Sequence, residues 1–193
     1  MRKKLIFIMF GIVAIAAAVV IYNLDAITGQ WKFDQMCKTE GGPRFYAAVE
    51  KNAGWMVEGQ DTYDYQWPFS FNHIAFVRYQ DKQGVQSDVQ ADGYVGPGQR
   101  KYIFAPVDAS RQVRYKFQFR YESFPNDHRF GKAIYEVTDL TTRQLVASYT
   151  RFSYQWTKPE RVILSAPTGV GCWDLQSELD TFFNGIYASG NKK

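Results

Sequence analysis

Few side chains in this sequence are suited to chemistry, and their spacing assigns them none. There are two histidines, His73 and His128, and two cysteines, Cys37 and Cys172. No His-Glu-x-x-His pair is present to hold a zinc ion, and no Gly-x-Ser-x-Gly turn is present to expose a serine nucleophile. The glycines at 93, 96 and 98 lack the Lys-Ser/Thr that a phosphate-binding loop needs after them. His128 follows Pro125-Asn126-Asp127, a turn composition that favours solvent. Glu58, Asp61 and Asp64 cluster beside Gly59 and read as a solvated loop, because carboxylates are mostly exposed. Glycosidase acids come from distant positions, so a glycan hydrolase stays as the enzymatic alternative. No catalytic, metal or cofactor residue is assigned, and no cofactor is expected.

The two cysteines read best as a structural bridge. A redox dithiol wants Cys-x-x-Cys, and a zinc site wants more Cys or His at short spacing. A cysteine hydrolase needs a free thiol. An even count in an exported chain predicts a Cys37–Cys172 disulfide that ties the start of the domain to its end. In the loop-entropy picture such a closure contributes up to about 5 kcal/mol.

Export is inferred from the first residues. Arg2, Lys3 and Lys4 precede LIFIMFGIVAIAAAVVIY, an uncharged run over residues 5–22. As a helix at about 1.5 Å per residue it spans roughly 27 Å, close to the hydrocarbon thickness. Cations before the run, and none after it until Lys32, predict a cytoplasmic start, a bacterial inner-membrane anchor and a periplasmic remainder. The competing reading is a signal peptide cut near Ala18, after the small residues Ala16 and Ala17. The three leading cations also account for most of the net charge of +4. The exported part is nearly neutral and has no bulk electrostatic reason to bind nucleic acid.

Two candidate binding surfaces remain. In Tyr63-Asp64-Tyr65-Gln66-Trp67-Pro68-Phe69-Ser70-Phe71, aromatics alternate with polar residues or Pro, the period of a strand with one aromatic face. Tyr63, Tyr65 and Trp67 could stack on a sugar or a peptide, although a half-buried strand gives the same alternation. Pro68 removes a donor and places that strand at an edge or a bulge. The second surface is the even face of residues 113–121, where Arg114, Lys116 and Arg120 lie. It could meet an anionic partner; a solvated sheet face is the plain alternative.

The elements that must position these residues give an α+β domain with a mainly antiparallel sheet and short N- and C-terminal helices, preceded by one transmembrane helix. The expected division is an anchor at 1–22, a linker and short helix at 23–42, and a β-rich domain at 43–193. The linker covers 23–29 and the short helix 31–38. Strands are expected at 44–49, 63–72, 73–79, 101–105, 113–121, 133–140, 145–156 and 162–165. Thr141-Thr142-Arg143-Gln144 suits a hairpin. Leu175, Leu179, Phe182 and Ile186 share one face of a helix over 173–184.

The anchor, Cys37, Gly41-Gly42, Arg44-x-Tyr46, Asp139-Leu140-Thr141-Thr142, Val146-Ala147-x-Tyr149-Thr150 and Cys172 together resemble short bacterial membrane-anchored envelope proteins with no assigned activity. The resemblance implies topology and no mechanism. Three functions are therefore expected in order. The first is a non-enzymatic accessory protein that binds a protein partner. The second is a cell-wall glycan-binding module or hydrolase. The third is a structural module that pairs through a sheet edge near Pro68.

Overall fold

The computed structural model describes residues 2–59, 64–96, 99–155, 169–172 and 175–188. The first element, α1, is one helix, Arg2–Glu40, of 39 residues. At about 1.5 Å per residue it is roughly 58 Å long. The linker read over residues 23–29 is therefore helical. Nothing there breaks a helix outright, and the Thr28 hydroxyl donates to the Leu24 carbonyl at 2.8 Å. The short helix expected at 31–38 is the last part of α1. The helix ends where Gly41 N–H bonds back to the Met36 and Cys37 carbonyls and Gly42 takes φ +90°, a conformation that costs glycine little.

Among the described residues nine strands follow: β1 (Gly42–Phe45), β2 (Ala53–Glu58), β3 (Ile74–Gln80), β4 (Gln86–Gly96), β5 (Gln99–Ala105), β6 (Val113–Ser123), β7 (Phe130–Asp139), β8 (Gln144–Gln155) and β9 (Gly169–Gly171). Two helices complete the order, α2 (Gln66–Phe69) and α3 (Leu175–Gly185). The strands form one sheet in the order β1-β8-β7-β6-β2-β3-β4-β5, with β9 also on β8. All pairings are antiparallel except those of β2, which runs parallel to both β3 and β6. The α+β class and the mostly antiparallel sheet are thus as expected.

The described part of the aromatic run, residues 64–72, is not a strand. Residues 66–69 make the short α2, followed by turns in which Asn72 and His73 take positive φ. Pro68 sits in the first turn of that helix, where a missing N–H costs nothing. No sheet edge lies at Pro68, so that basis for edge pairing falls. The alternation arose because Tyr65, Phe69 and Phe71 each find the core from an irregular path. Three strands, β2, β4 and β9, were not expected, and the first strand is shorter than expected. The segment 162–165 lies outside the described residues.

Each face of the sheet has its own cover. On one face, Tyr115, Phe117, Tyr135, Val137 and Tyr149 pack with Trp55, Phe69 and Phe71, with Leu179, Phe182 and Phe183 of α3 and with Ile186 just after it. The Tyr149 hydroxyl donates to Glu178 at 2.9 Å, and burial pushes both groups above their ordinary pKa. On the other face, Phe130, Phe152 and Tyr154 pack with Phe33 and Cys37 of α1 and with Cys172. Strand alternation puts Tyr149 and Phe152 on opposite faces, which separates the two clusters. The Cys37–Cys172 disulfide is present across 135 positions, with 5.6 Å between Cα atoms.

Judged on the described residues, no helix is long and apolar enough to cross a membrane. Most side chains of the run at 5–22 lie outside those described.

Candidate functional site

The sequence-based candidates do not assemble into one site. Tyr63 lies outside the described residues. Tyr65 is buried, with its ring edge-on to Tyr79, Tyr102 and Phe104 at 5.5, 5.2 and 5.0 Å. Trp67 is half-buried, stacked on Phe119 at 6.1 Å and edge-on to Tyr135 at 5.5 Å. The three cations do share the polar face of β6, but each has acidic company. Arg114 pairs with Glu50 and with Asp139 at 3.4 Å, and Lys116 with Glu58 at 2.8 Å. Arg120 meets Glu122 at 3.3 Å and Glu136 at 3.2 Å. This face is a ladder of neutralised pairs, so it has little pull on an anionic partner.

Trp67 does line a groove. β2 stops at Glu58, whereas β6 continues past Phe117 for six residues without it. The slot left beyond the end of β2 is about 450 Å³, lined by Glu58, Asp64, Trp67, Asp81, Phe119 and Arg120, among others. It lies at the carboxyl ends of the parallel strands β2 and β3, a common ligand position in parallel sheets. Two of its carboxylates already have structural roles. Glu58 holds Lys116, and Asp81 accepts the Gln83 and Val85 amides at 2.9 and 2.8 Å to close a turn. The groove offers an aromatic wall and hydrogen-bonding groups.

The sheet's terminal strand is the other unusual surface. β5 pairs with β4 on one side and with no described strand on the other. Ile103 and Phe104 are 46% and 50% exposed, and Val107 just beyond is 38% exposed. Edge strands are ordinarily blunted by free charges, Pro or bulges. The cations of β5 are turned to their own domain: Lys101 binds Asp92 at 2.9 Å, and Arg100 donates to the Phe69 carbonyl. The run Tyr102-Ile103-Phe104 was the available sequence signal. Three successive apolar residues on a strand must leave one on each face.

A third cluster was invisible to sequence spacing. Arg129 is 6% exposed, and its guanidinium binds Asp127 at 2.6 Å and Asp25 of α1 at 3.2 Å. The Asp127 hydrogen bond, against burial, raises its pKa further still. The Tyr154 hydroxyl donates to the Ala26 carbonyl at 3.2 Å. Gly29 lies beneath the Tyr154 ring, where a Cβ would collide with it. Asp25, Ala26, Gly29, Phe33 and Cys37 therefore form one continuous face of α1 docked on the sheet. Among the described residues no group of His, Cys, Asp and Glu is placed to hold a metal ion.

Comparison with family models, with curated proteins and with solved structures finds no match to this chain.

Proposed function

We propose that this chain is a single-pass envelope protein, anchored in a bacterial inner membrane by residues 5–22. Its periplasmic domain is a non-enzymatic accessory module that takes an extended segment of a protein partner along β5. The observation that carries this reading is the apolar outer side of β5, beyond which no described strand lies. A segment added there would pair along β5 and cover Ile103 and Phe104, the mode by which sheet edges recognise peptides. The uncharged length of 5–22 and its cationic flank support the anchor, and an oxidising compartment suits the disulfide. The nearly neutral exported part supports a partner other than nucleic acid.

A tagged chain captured from crosslinked intact envelopes retains one stoichiometric partner under this reading. The Ile103→Lys/Phe104→Lys variant loses that partner while keeping its thermal unfolding transition. Equal recovery with both chains contradicts the proposal.

The groove favours a second reading, a cell-wall glycan-binding module, because Trp67 and Phe119 form an aromatic wall beside hydrogen-bonding side chains. It is the weaker one, since Tyr65, Phe69 and Phe71 are buried. Soluble muropeptides would then bind the domain, and Trp67→Ala would weaken them at least tenfold, about 1.4 kcal/mol. Absence of binding by calorimetry removes this reading.

A further inference from the structure

Two ion pairs set the direction of the sheet along α1. Arg129, one residue before β7, binds Asp25 at 3.2 Å, and Lys132 on β7 reaches Glu40 at 3.9 Å. Three steps of the strand, about 10 Å, thus match fifteen steps of the helix, about 22 Å. The long cationic side chains span the difference. β7 therefore runs away from Asp25, towards the C-terminal end of α1. The β6–β7 turn, residues 124–129, is the end of these strands nearest Asp25. The turn at 140–143 is the opposite end, about 33 Å away along the ten residues of β7.

The β6–β7 turn is a fixed piece. The Phe124 carbonyl accepts the Asp127 amide at 3.3 Å, and the Asp127 carbonyl accepts the Phe130 amide at 3.1 Å. The Phe124 ring packs on Phe130 and Phe152, with centroids 5.8 and 6.5 Å away. The one acid of the turn, Asp127, is spent on Arg129. The residues it exposes are Pro125, Asn126 and His128, none of them a carboxylate that anionic lipid would repel.

On the reading that residues 5–22 cross the membrane, Asp25 stands about 4.5 Å beyond Tyr22. The headgroup layer is roughly 5–8 Å deep, so Asp25 lies within it. The turn bound to Asp25 is brought to that level. It is held there by the Tyr154 hydroxyl, which donates to the Ala26 carbonyl at 3.2 Å, and by the disulfide further along the helix.

We infer that the β6–β7 turn is a second membrane contact, with Pro125, Asn126 and His128 resting among lipid headgroups beside the emerging helix. Headgroup phosphates accept the hydrogen bonds that the Asn126 and His128 side chains can donate. Helix and turn together would keep the domain on the membrane surface, with the turn at 140–143 pointing away from it. The inference rests on the anchor proposed above and is independent of the β5 partner.

The test uses the full oxidised chain in vesicles of phosphatidylethanolamine and phosphatidylglycerol, with a fluorescent amino acid at one position at a time. A nitroxide on the lipid headgroup is expected to quench positions 126 and 128 several-fold more than position 142. A nitroxide deep in the acyl chain is expected to quench position 13. Equal headgroup quenching at 126, 128 and 142, with position 13 quenched from the acyl chain, would overturn the turn contact and leave the anchor standing. Absence of quenching at position 13 would remove the anchor, and the turn contact with it.

Discussion

At the scale of single residues, buried charge in this domain is tied into short local networks. Asp88 is 1% exposed and receives Arg78 through two hydrogen bonds of 2.8 and 3.1 Å and the Asp108 amide at 3.1 Å. Burial acts to raise its pKa, but Arg78 and that amide outweigh it and hold the carboxyl below the ordinary range. A carboxyl depressed in the folded state adds stability above its unfolded pKa, about 3.9, and that stability is lost as pH falls through the folded value. The acid limb of unfolding therefore lies below about pH 4 for this group. Asp88→Asn is expected to cost about 3 kcal/mol at neutral pH, because it leaves Arg78 uncompensated, and to flatten the acid limb. Denaturant titrations across pH check both. Arg78 and Asp88 are ten positions apart on neighbouring strands. No residue pattern announces such a pair before the register of β3 and β4 is known.

At the scale of elements, what was legible followed regular periodicity. The strict alternation of 113–121 became β6, Thr141 to Arg143 became the turn before β8, and the 3–4 spacing that starts at Leu175 became α3, which ends at Gly185, one residue before Ile186. Asp139 helps close that turn by accepting the Thr141 and Thr142 amides at 2.7 and 3.1 Å. Where periodicity was accidental, it misled. The aromatics at 63–71 alternate, yet tertiary burial and Pro68 made a helical turn there. β2 was missed because Ala53 to Glu58 is packed on both sides by parallel neighbours and shows no alternation. Continuity of α1 was obscured by Gly29, which reads as a break in sequence. Its actual role is close approach to Tyr154. Gly29→Val is expected to force α1 off β8 and to lower the melting temperature of the oxidised chain by several degrees. Gly29→Ala should cost less, since one methyl meets the same ring. Differential scanning calorimetry of the two variants gives the order.

At the scale of the molecule, one long helix carries the sheet as a side-mounted unit. The disulfide joins the end of that helix to the segment after β9, and the Arg129 cluster joins its middle to the β6–β7 turn. Two fixings about 18 Å apart along a helix leave little freedom of angle between helix and sheet. With the anchor proposed above, the domain would hold its β5 edge and its groove at set heights above a membrane. The groove was not legible as a site, because it is assembled from segments distant in sequence, and the run Tyr102-Ile103-Phe104 of β5 does not by itself say that its strand ends the sheet. The charge ladder on β6 was half legible: its cations were visible, but their acidic partners on β2, β7 and the 46–52 turn were not.

The central claim is that β5 is the partner-binding edge of a membrane-anchored domain. Its most direct test is photo-crosslinking from position 103 in intact cells, with Gln118 on the far part of β6 as the control site. The account predicts one adduct of defined mass from position 103 and none from position 118, and loss of the adduct when Phe104 is replaced by Lys. An unmodified chain from position 103, or the same adduct from both positions, would contradict it.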